Sequence, residues 1–386
     1  MEDFIARKLA DTIRREMEIF PTLTLTGPRQ SGKTTLCRRL FPDFHYVNAE
    51  DSELRERIAA APKAFLKLFP QGLIVDEAQR VPEIFSAAQV LVDEDRSRRF
   101  VFTGSCNFSL IKGITQSLAG RTGVLTLPPL SLEELGRERA SLPKEELIVR
   151  GGYPAVWRTD DADARRRIFR AYYDTYVERD LRELVAIKDL SAYRQFARLC
   201  AGSVGREFNA SRIAGELGVS APTARAWLSI LEASYIVFRL PPYFGNVNKR
   251  VVKTPKIYFF DTGLACSLLE IRTAEQLEAH PLRGELFENL VVAEFFKRGF
   301  ARGENNSNLF FYRDSSQAEV DVVEELAGQL NAWEIKSAAE AHKEFFRGLN
   351  HFRKIFGNAV AGTRVIYDGE LALDTPENGV VNFRNL

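Results

Sequence analysis

The chain has 386 residues, 45% hydrophobic and 27% charged, and its 53 basic against 52 acidic side chains leave a net charge of +1. That length predicts two or three domains with sizeable cores, and the charge balance excludes a polycation, so any nucleic-acid surface must be a local patch. Four scattered cysteines (Cys37, Cys106, Cys200, Cys266) form no CxxC pair and the four histidines form no HExxH, which argues against a disulfide framework, a zinc ribbon or a histidine-rich metal site. A reducing cytoplasm is the expected location. No apolar run approaches the ~18 residues of a membrane span, so no membrane partner is expected.

In chain order, Ile5, Leu9, Ile13 and Met17 recur every fourth position with charges between them, which predicts a packed amphipathic helix. Strands follow at TLTLT (22–26), HYVNAED (45–51), GLIVDEAQ (72–79), RFVFTGS (99–105) and GVLTLPPL (123–130), separated by helical stretches. This alternation predicts an α/β core built on a parallel sheet covered on both faces. From Ser131 the strand signal fades and helical period takes over, as in a lid. Residues 206–253 read as helix, tight turn at Gly218, longer helix and strand, with Pro241-Pro242 and FGNVNKR supplying a hairpin wing. Beyond them, GELFENLVVAEFFKRG reads as a helix, and NLFFYRD, AEVDVVEEL and QLNAWEIKS as three consecutive strands. The expected divisions are a core over 1–130, a helical lid over 131–204, a winged helix-turn-helix over 205–253 and a second α/β domain over 254–386.

The stretch Gly27-Pro28-Arg29-Gln30-Ser31-Gly32-Lys33-Thr34-Thr35 between the first strand and a helix matches the P-loop pattern. Its glycines let backbone N–H groups turn toward phosphate oxygens, Lys33 supplies positive charge to the β- and γ-phosphates, and Thr34 offers a hydroxyl to Mg²⁺. ATP and Mg²⁺ are therefore the expected ligands. LIVDE places Asp76 at a strand's carboxyl end facing the metal, with Glu77 beside it to orient and polarise the attacking water. At the end of the neighbouring strand Ser105, with Thr103 and Asn107 as rivals, is expected to sense the γ-phosphate. Arg121, just before the fifth strand, stands where AAA+ ATPases often carry an arginine finger for the adjoining subunit's nucleotide. A homo-oligomer is the expected assembly.

Together GPRQSGKTT, GLIVDEAQ, FTGS, LAGR…PLSLEEL, GGYPAVW, YVERDL, KTPKIYFFDTGL and GELFEN…YRD…EVD…EIKS resemble the bacterial and archaeal AAA-type ATPases that carry a C-terminal domain of unknown function related to PD-(D/E)XK nucleases. The resemblance spans nearly the whole chain. It implies a P-loop AAA-type core with a helical lid, a winged-helix segment and a restriction-nuclease-like C-terminal fold.

In that C-terminal part, period-two alternation points Glu334 and Lys336 the same way. Asp321 lies across a hairpin turn near Gly328, and Glu288 lies on the preceding helix. The expected roles are metal ligation by Glu288, Asp321 and Glu334 and positioning or charge stabilisation by Lys336. Glu319 shares the face of Asp321 and is an alternative ligand. The alternative for the whole group is a salt-bridged sheet edge. DNA is the expected macromolecular partner, through residues 205–253. These carry seven basic side chains (Arg206, Arg212, Arg225, Arg239, Lys249, Arg250, Lys253) against three acidic ones. Ser220, Thr223 and Arg225 open the second helix, where groove contacts are made, Lys249 and Arg250 meet phosphates, and Trp227 and Leu228 read as core.

Overall fold

The computed structural model describes residues 4–105, 117–174, 189–245, 254–374 and 378–386. Its first sheet holds β1 (Thr22–Thr26), β2 (His45–Asn48), β3 (Leu73–Asp76), β4 (Phe100–Thr103) and β5 (Thr122–Thr126), in the order β2-β3-β4-β1-β5. Every pairing in it is parallel. Alternate strand residues feed two separate cores. Leu23, Leu25, Ile74 and Val101 join Leu9, Ile13 and Met17 of the helix Leu9–Ile19 on one face. Leu73, Val75, Phe100 and Phe102 pack against the helix Glu83–Glu94 on the other. The threonines of β1 remain in a fully buried strand because their hydroxyls are satisfied, Thr24 by Thr122 at 3.2 Å and Thr26 by Thr126 at 3.1 Å.

The N-terminal helix starts later than its apolar spacing suggests. Ile5 continues the four-residue period but precedes the helix, and residues 4–8 instead run across the loop that follows β1. Beyond β5 come the helices Leu132–Ala140, Lys144–Arg150, Ala162–Tyr172 and Leu190–Ala201. Ser131 opens the first of them with a reciprocal cap, its hydroxyl accepting from the Glu134 N–H and the Glu134 carboxylate accepting from the Ser131 N–H.

Helices Ala210–Leu217 and Ala221–Ala233 meet at Gly218, whose φ of 67° suits a residue without Cβ. Trp227 and Leu228 are core, as expected. The antiparallel pair β6 (Val237–Leu240) and β7 (Lys256–Phe259) follows, with Val237 opposite Phe259 and Leu240 opposite Lys256. The wing residues Lys249, Arg250 and Lys253 lie outside the described residues, as do Cys106, Asn107 and the YVERDL stretch.

The last sheet has the order β12-β13-β11-β10-β9-β8, from β8 (Leu309–Arg313), β9 (Glu319–Leu326), β10 (Gln329–Lys336), β11 (Val360–Tyr367), β12 (Leu373–Asp374) and β13 (Gly379–Asn382). A turn at Ala327-Gly328, both with positive φ, joins β9 to β10. The helix Arg283–Ala301 covers one face through Phe295 on Trp333, and the helix Arg347–Phe356 covers the other through Leu349 and Phe352. One core runs without a break from Leu130 through the helices that follow β5, the helix pair and β6–β7 to Phe383. Among the described residues no helix is long and apolar enough to cross a membrane, and Cys37, Cys200 and Cys266 are free and buried.

Candidate functional site

The loop after β1 turns back on itself through residues in the left-handed region: Gly27 (φ 137°), Gln30 (59°) and Gly32 (94°). A Cβ at Gly27 would stand 2.3 Å from the Leu127 carbonyl oxygen, so this position needs glycine for space as well as for φ. Lys33 opens the helix Lys33–Leu40. Its side chain is buried and folds back, its Nζ donating to the Gly27 carbonyl at 2.9 Å and the Pro28 carbonyl at 2.7 Å. Burial pushes the ammonium down to about 8, against the pull of Glu77 and Asp76.

A helix N-terminus and the two strands flanking β3 each contribute a hydroxyl to Asp76. Thr34 Oγ1 donates to Asp76 Oδ2 at 2.6 Å and Tyr46 OH to the same oxygen at 3.0 Å, while Thr103 Oγ1 donates to Oδ1. The parallel order makes this possible. β4 lies between β1 and β3, so its last residue faces the carboxylate at the end of β3. Glu77 takes a left-handed φ of 53°, and its Oε2 accepts from Gln79 Nε2 at 2.5 Å and from Ser105 Oγ at 3.2 Å. Thus Thr103 touches Asp76, and Ser105 touches Glu77.

Lys33, Thr34, Asp76 and Glu77 line a cleft of about 520 Å³ with Arg29, Gln30, Ser31, Gly32 and Thr35, and with Pro154, Trp157 and Arg158. The volume falls in the ~300–1,000 Å³ range of small-molecule sites. Within it the Ser31 hydroxyl is buried and has no hydrogen-bond partner among the described residues. An unpaired donor beside a buried lysine and a helix N-terminus fits an anionic oxygen, so the residues present suit a triphosphate and its magnesium.

Spacing does not reveal Arg7. It falls between the apolar positions Ile5 and Leu9, yet it is buried. Its Nη1 donates to the Ser31 carbonyl and its Nη2 to the Pro128 carbonyl, both at 2.7 Å, and its Nε to Glu134 Oε1 at 3.1 Å. The residue thereby ties the phosphate loop to the exit of β5. Arg121 stands elsewhere. Its carbonyl accepts from the Thr22 N–H, the first residue of β1, so it borders the sheet edge opposite the loop after Thr26. There its guanidinium grips Asp93 with bonds of 2.6 and 2.9 Å.

The C-terminal carboxylates also come together. Asp321 Oδ2 accepts from the Ile335 N–H at 2.7 Å, replacing a ladder bond between β9 and β10, and Lys336 Nζ pairs with Glu334 Oε1 at 2.5 Å. Glu334 Oε2 is buried and has no partner among the described residues. Glu288 Oε1 accepts from Tyr258 OH at 2.5 Å and from Lys256 Nζ at 3.1 Å. Burial, then the charges of Glu288 and Glu334, hold the Asp321 carboxyl well above its ordinary range. Burial also raises Glu334. Among the described residues no group of three or more Asp, Glu, His or Cys side chains is disposed to hold a metal ion. Lys256 lies among these carboxylates; it falls within the stretch KTPKIYFFDTGL, but no role was read for it from the sequence. The available signal was a lysine opening the otherwise apolar strand KIYF.

On and around the helix pair, Arg206 pairs with Glu285, Arg212 with Glu216 and Arg239, in β6, with Glu232. Ser220 accepts from the Thr223 N–H as a cap, and Arg225 is exposed.

A family model of the AAA domain matches residues 20–136. Two domains of unknown function match residues 144–275 (DUF8612) and 283–386 (DUF4143). Uncharacterized protein Rv2008c of Mycobacterium tuberculosis is 34% identical over 337 residues, covering 86% of this chain and 73% of its own length. Uncharacterized protein MJ1544 of Methanocaldococcus jannaschii is 26% identical over 353 residues, covering 83% and 76%. Among solved structures, the Walker-type ATPase PABY2304 of Pyrococcus abyssi is similar at 18% identity and a TM-score of 0.45, covering 69% of this chain and 97% of that one. AMPPCP-bound DnaA of Aquifex aeolicus is similar at 13% identity and a TM-score of 0.30, covering 60% and 90%.

Proposed function

Since the chain belongs to the same family as the mycobacterial protein and its N-terminal part is a P-loop ATPase domain of AAA type, we propose that it binds ATP with magnesium in the cleft after β1 and hydrolyses it. The observation that carries this reading is the meeting of Lys33 and Thr34 with Asp76, from two stretches more than forty residues apart, at one cleft. Lys33 leaves its two backbone carbonyls for the β- and γ-phosphates. Thr34 and Asp76 are the residues that would hold Mg²⁺, which when bound neutralises phosphate charge. Glu77, held by Gln79 and Ser105, orients the attacking water and takes its proton. Ser105 reports the γ-phosphate to that carboxylate. Arg121 supplies transition-state charge to an adjoining subunit of a homo-oligomer, being too far round the sheet to serve its own cleft. Calorimetry on nucleotide-stripped protein tests the binding step. A hydrolysis assay on wild type and Lys33→Ala tests turnover, and an equally active Lys33→Ala protein would overturn the reading.

In this reading ATP turnover in the cytoplasm governs a DNA-associated molecule. The helix pair supplies the DNA contact through Ser220, Thr223 and Arg225, and the C-terminal domain is a metal-dependent nuclease using Glu288, Asp321, Glu334 and Lys336. A second reading keeps the nucleotide switch and makes the C-terminal domain an inactive scaffold. The insertion of Lys256 among its carboxylates favours this second reading. Plasmid cleavage with Mg²⁺ or Mn²⁺ and ATP separates the two: activity that Lys336→Ala removes supports the first, and none on single- or double-stranded substrate supports the second.

A further inference from the structure

The acidic pocket of the C-terminal domain is entered by a side chain from outside its sheet. Lys256 begins β7, and its side chain is 4% exposed. Its Nζ stands 2.5 Å from Glu319 Oε1, 3.1 Å from Glu288 Oε1 and 4.0 Å from Asp321 Oδ1, and 5.4 Å from the centre of the Phe311 ring. Two of these three carboxylates are residues whose motif positions suggest metal ligation. The backbone of Lys256 is fixed independently, by pairing with Leu240 in β6 and by a bridge to Glu207. Tyr258, two residues along and so on the same face of β7, adds its hydroxyl to Glu288 at 2.5 Å. The remaining cations are also engaged: Arg313 Nη2 reaches Glu319 Oε2 at 2.9 Å, and Lys336 holds Glu334. A divalent ion entering this pocket would meet an ammonium that is already buried and that has no solvent in which to withdraw.

We infer that Lys256 is the resident cation of this pocket, so that the C-terminal domain binds the β6–β7 ribbon through a primary ammonium where nuclease-like folds would bind a metal. The ligand class of the site is an alkylammonium, and the ligand belongs to the chain itself. This rests on the scaffold reading for the role of the domain, but its test reads metal uptake rather than cleavage, so the two fail separately.

The experiment is a titration of the full-length, nucleotide-free protein with Mn²⁺ alone, following free Mn²⁺ by electron paramagnetic resonance. Wild type and Asp321→Asn should be indistinguishable. Lys256→Met should gain one Mn²⁺ site at least about tenfold tighter than anything in wild type, because a repelling unit charge has gone from within 4 Å. Lys256→Met with Asp321→Asn should lose it. Saturable binding in wild type that Asp321→Asn weakens by about tenfold or more would overturn the assignment. So would a folded Lys256→Met that binds Mn²⁺ no better than wild type. Should Lys256→Met fail to fold, the comparison of wild type with Asp321→Asn decides, and Glu288→Gln repeats it from a second carboxylate.

Discussion

The guanidinium of Arg7 makes three bonds that hold the phosphate loop, the exit of β5 and Glu134 in one geometry. Truncating it frees the Ser31 carbonyl, immediately before Gly32 and Lys33, without touching the phosphate positions directly. Arg7→Ala should therefore raise KM for ATP about tenfold, equivalent to ~1.4 kcal/mol, with a smaller change in kcat. Arg7→Lys should restore only part, since an ammonium cannot reproduce a planar fork. Steady-state hydrolysis kinetics read both. Lys33 gives a prediction with a sign. Its ammonium is held at about 8 by burial. Bound phosphate favours the charged form, so the pKa rises on binding. Affinity is then full below pH 8 and declines above it, at up to about tenfold per pH unit, while binding takes up a proton. Calorimetry in buffers of differing ionisation enthalpy at pH 7 and 9 measures that uptake. Neither the Arg7 clamp nor the Tyr46 bond to Asp76 can be read from spacing, because each depends on which residues long-range packing brings to the loop. Lys33, Thr34 and Asp76 could be read, because loop curvature and strand ends constrain residue type locally.

Among the elements, the helix Arg283–Ala301 links the N-terminal part to the C-terminal sheet through one buried pair. Lys297 Nζ contacts Glu294 Oε1 at 2.8 Å and the Leu130 carbonyl at 2.9 Å, while Glu294 Oε2 accepts from the Leu132 N–H at 2.8 Å. Lys297→Met should cost about 3–5 kcal/mol by leaving a buried carboxylate without its partner, and adding Glu294→Gln should recover part of that loss. Denaturant unfolding of the two single variants and the double variant measures the coupling. The strands of the first sheet and β8–β10 of the last were legible because a period of two with apolar runs is a local signal, whereas β11–β13 were not read from the sequence. The hairpin that brings Asp321 opposite Glu334 was legible for the same reason, helped by Gly328. Lys256 was not. It enters the pocket from a strand more than thirty residues before Glu288 in sequence, and nothing local marks where its side chain ends. The start of the first helix was misplaced because Ile5 keeps the spacing by packing, half-buried, against the large core that begins at Leu130, without belonging to the helix.

For the whole molecule, the proposed role of Arg121 at a neighbouring cleft would make oligomerisation a condition of full turnover. Arg121→Ala and Lys33→Ala proteins should each be inactive alone, and mixing them should restore part of the hydrolysis. No recovery in a verified mixed oligomer would leave Arg121 as the partner of Asp93 only. Residue content could place an arginine before the fifth strand but not tell which end of the sheet it occupies, since that depends on strand direction. A last consequence belongs to the β6–β7 ribbon. Just before it, Tyr235 OH donates to Thr26 Oγ1 at 2.7 Å, one residue ahead of Gly27; at its far end, Lys256 sits among Glu288, Glu319 and Asp321. A rod four residues long, or ~13 Å, therefore has one foot at each chemistry. Thermodynamic reciprocity binds the two ends: by whatever factor loosening Lys256 alters the hold on nucleotide, nucleotide must alter the hold on Lys256 equally.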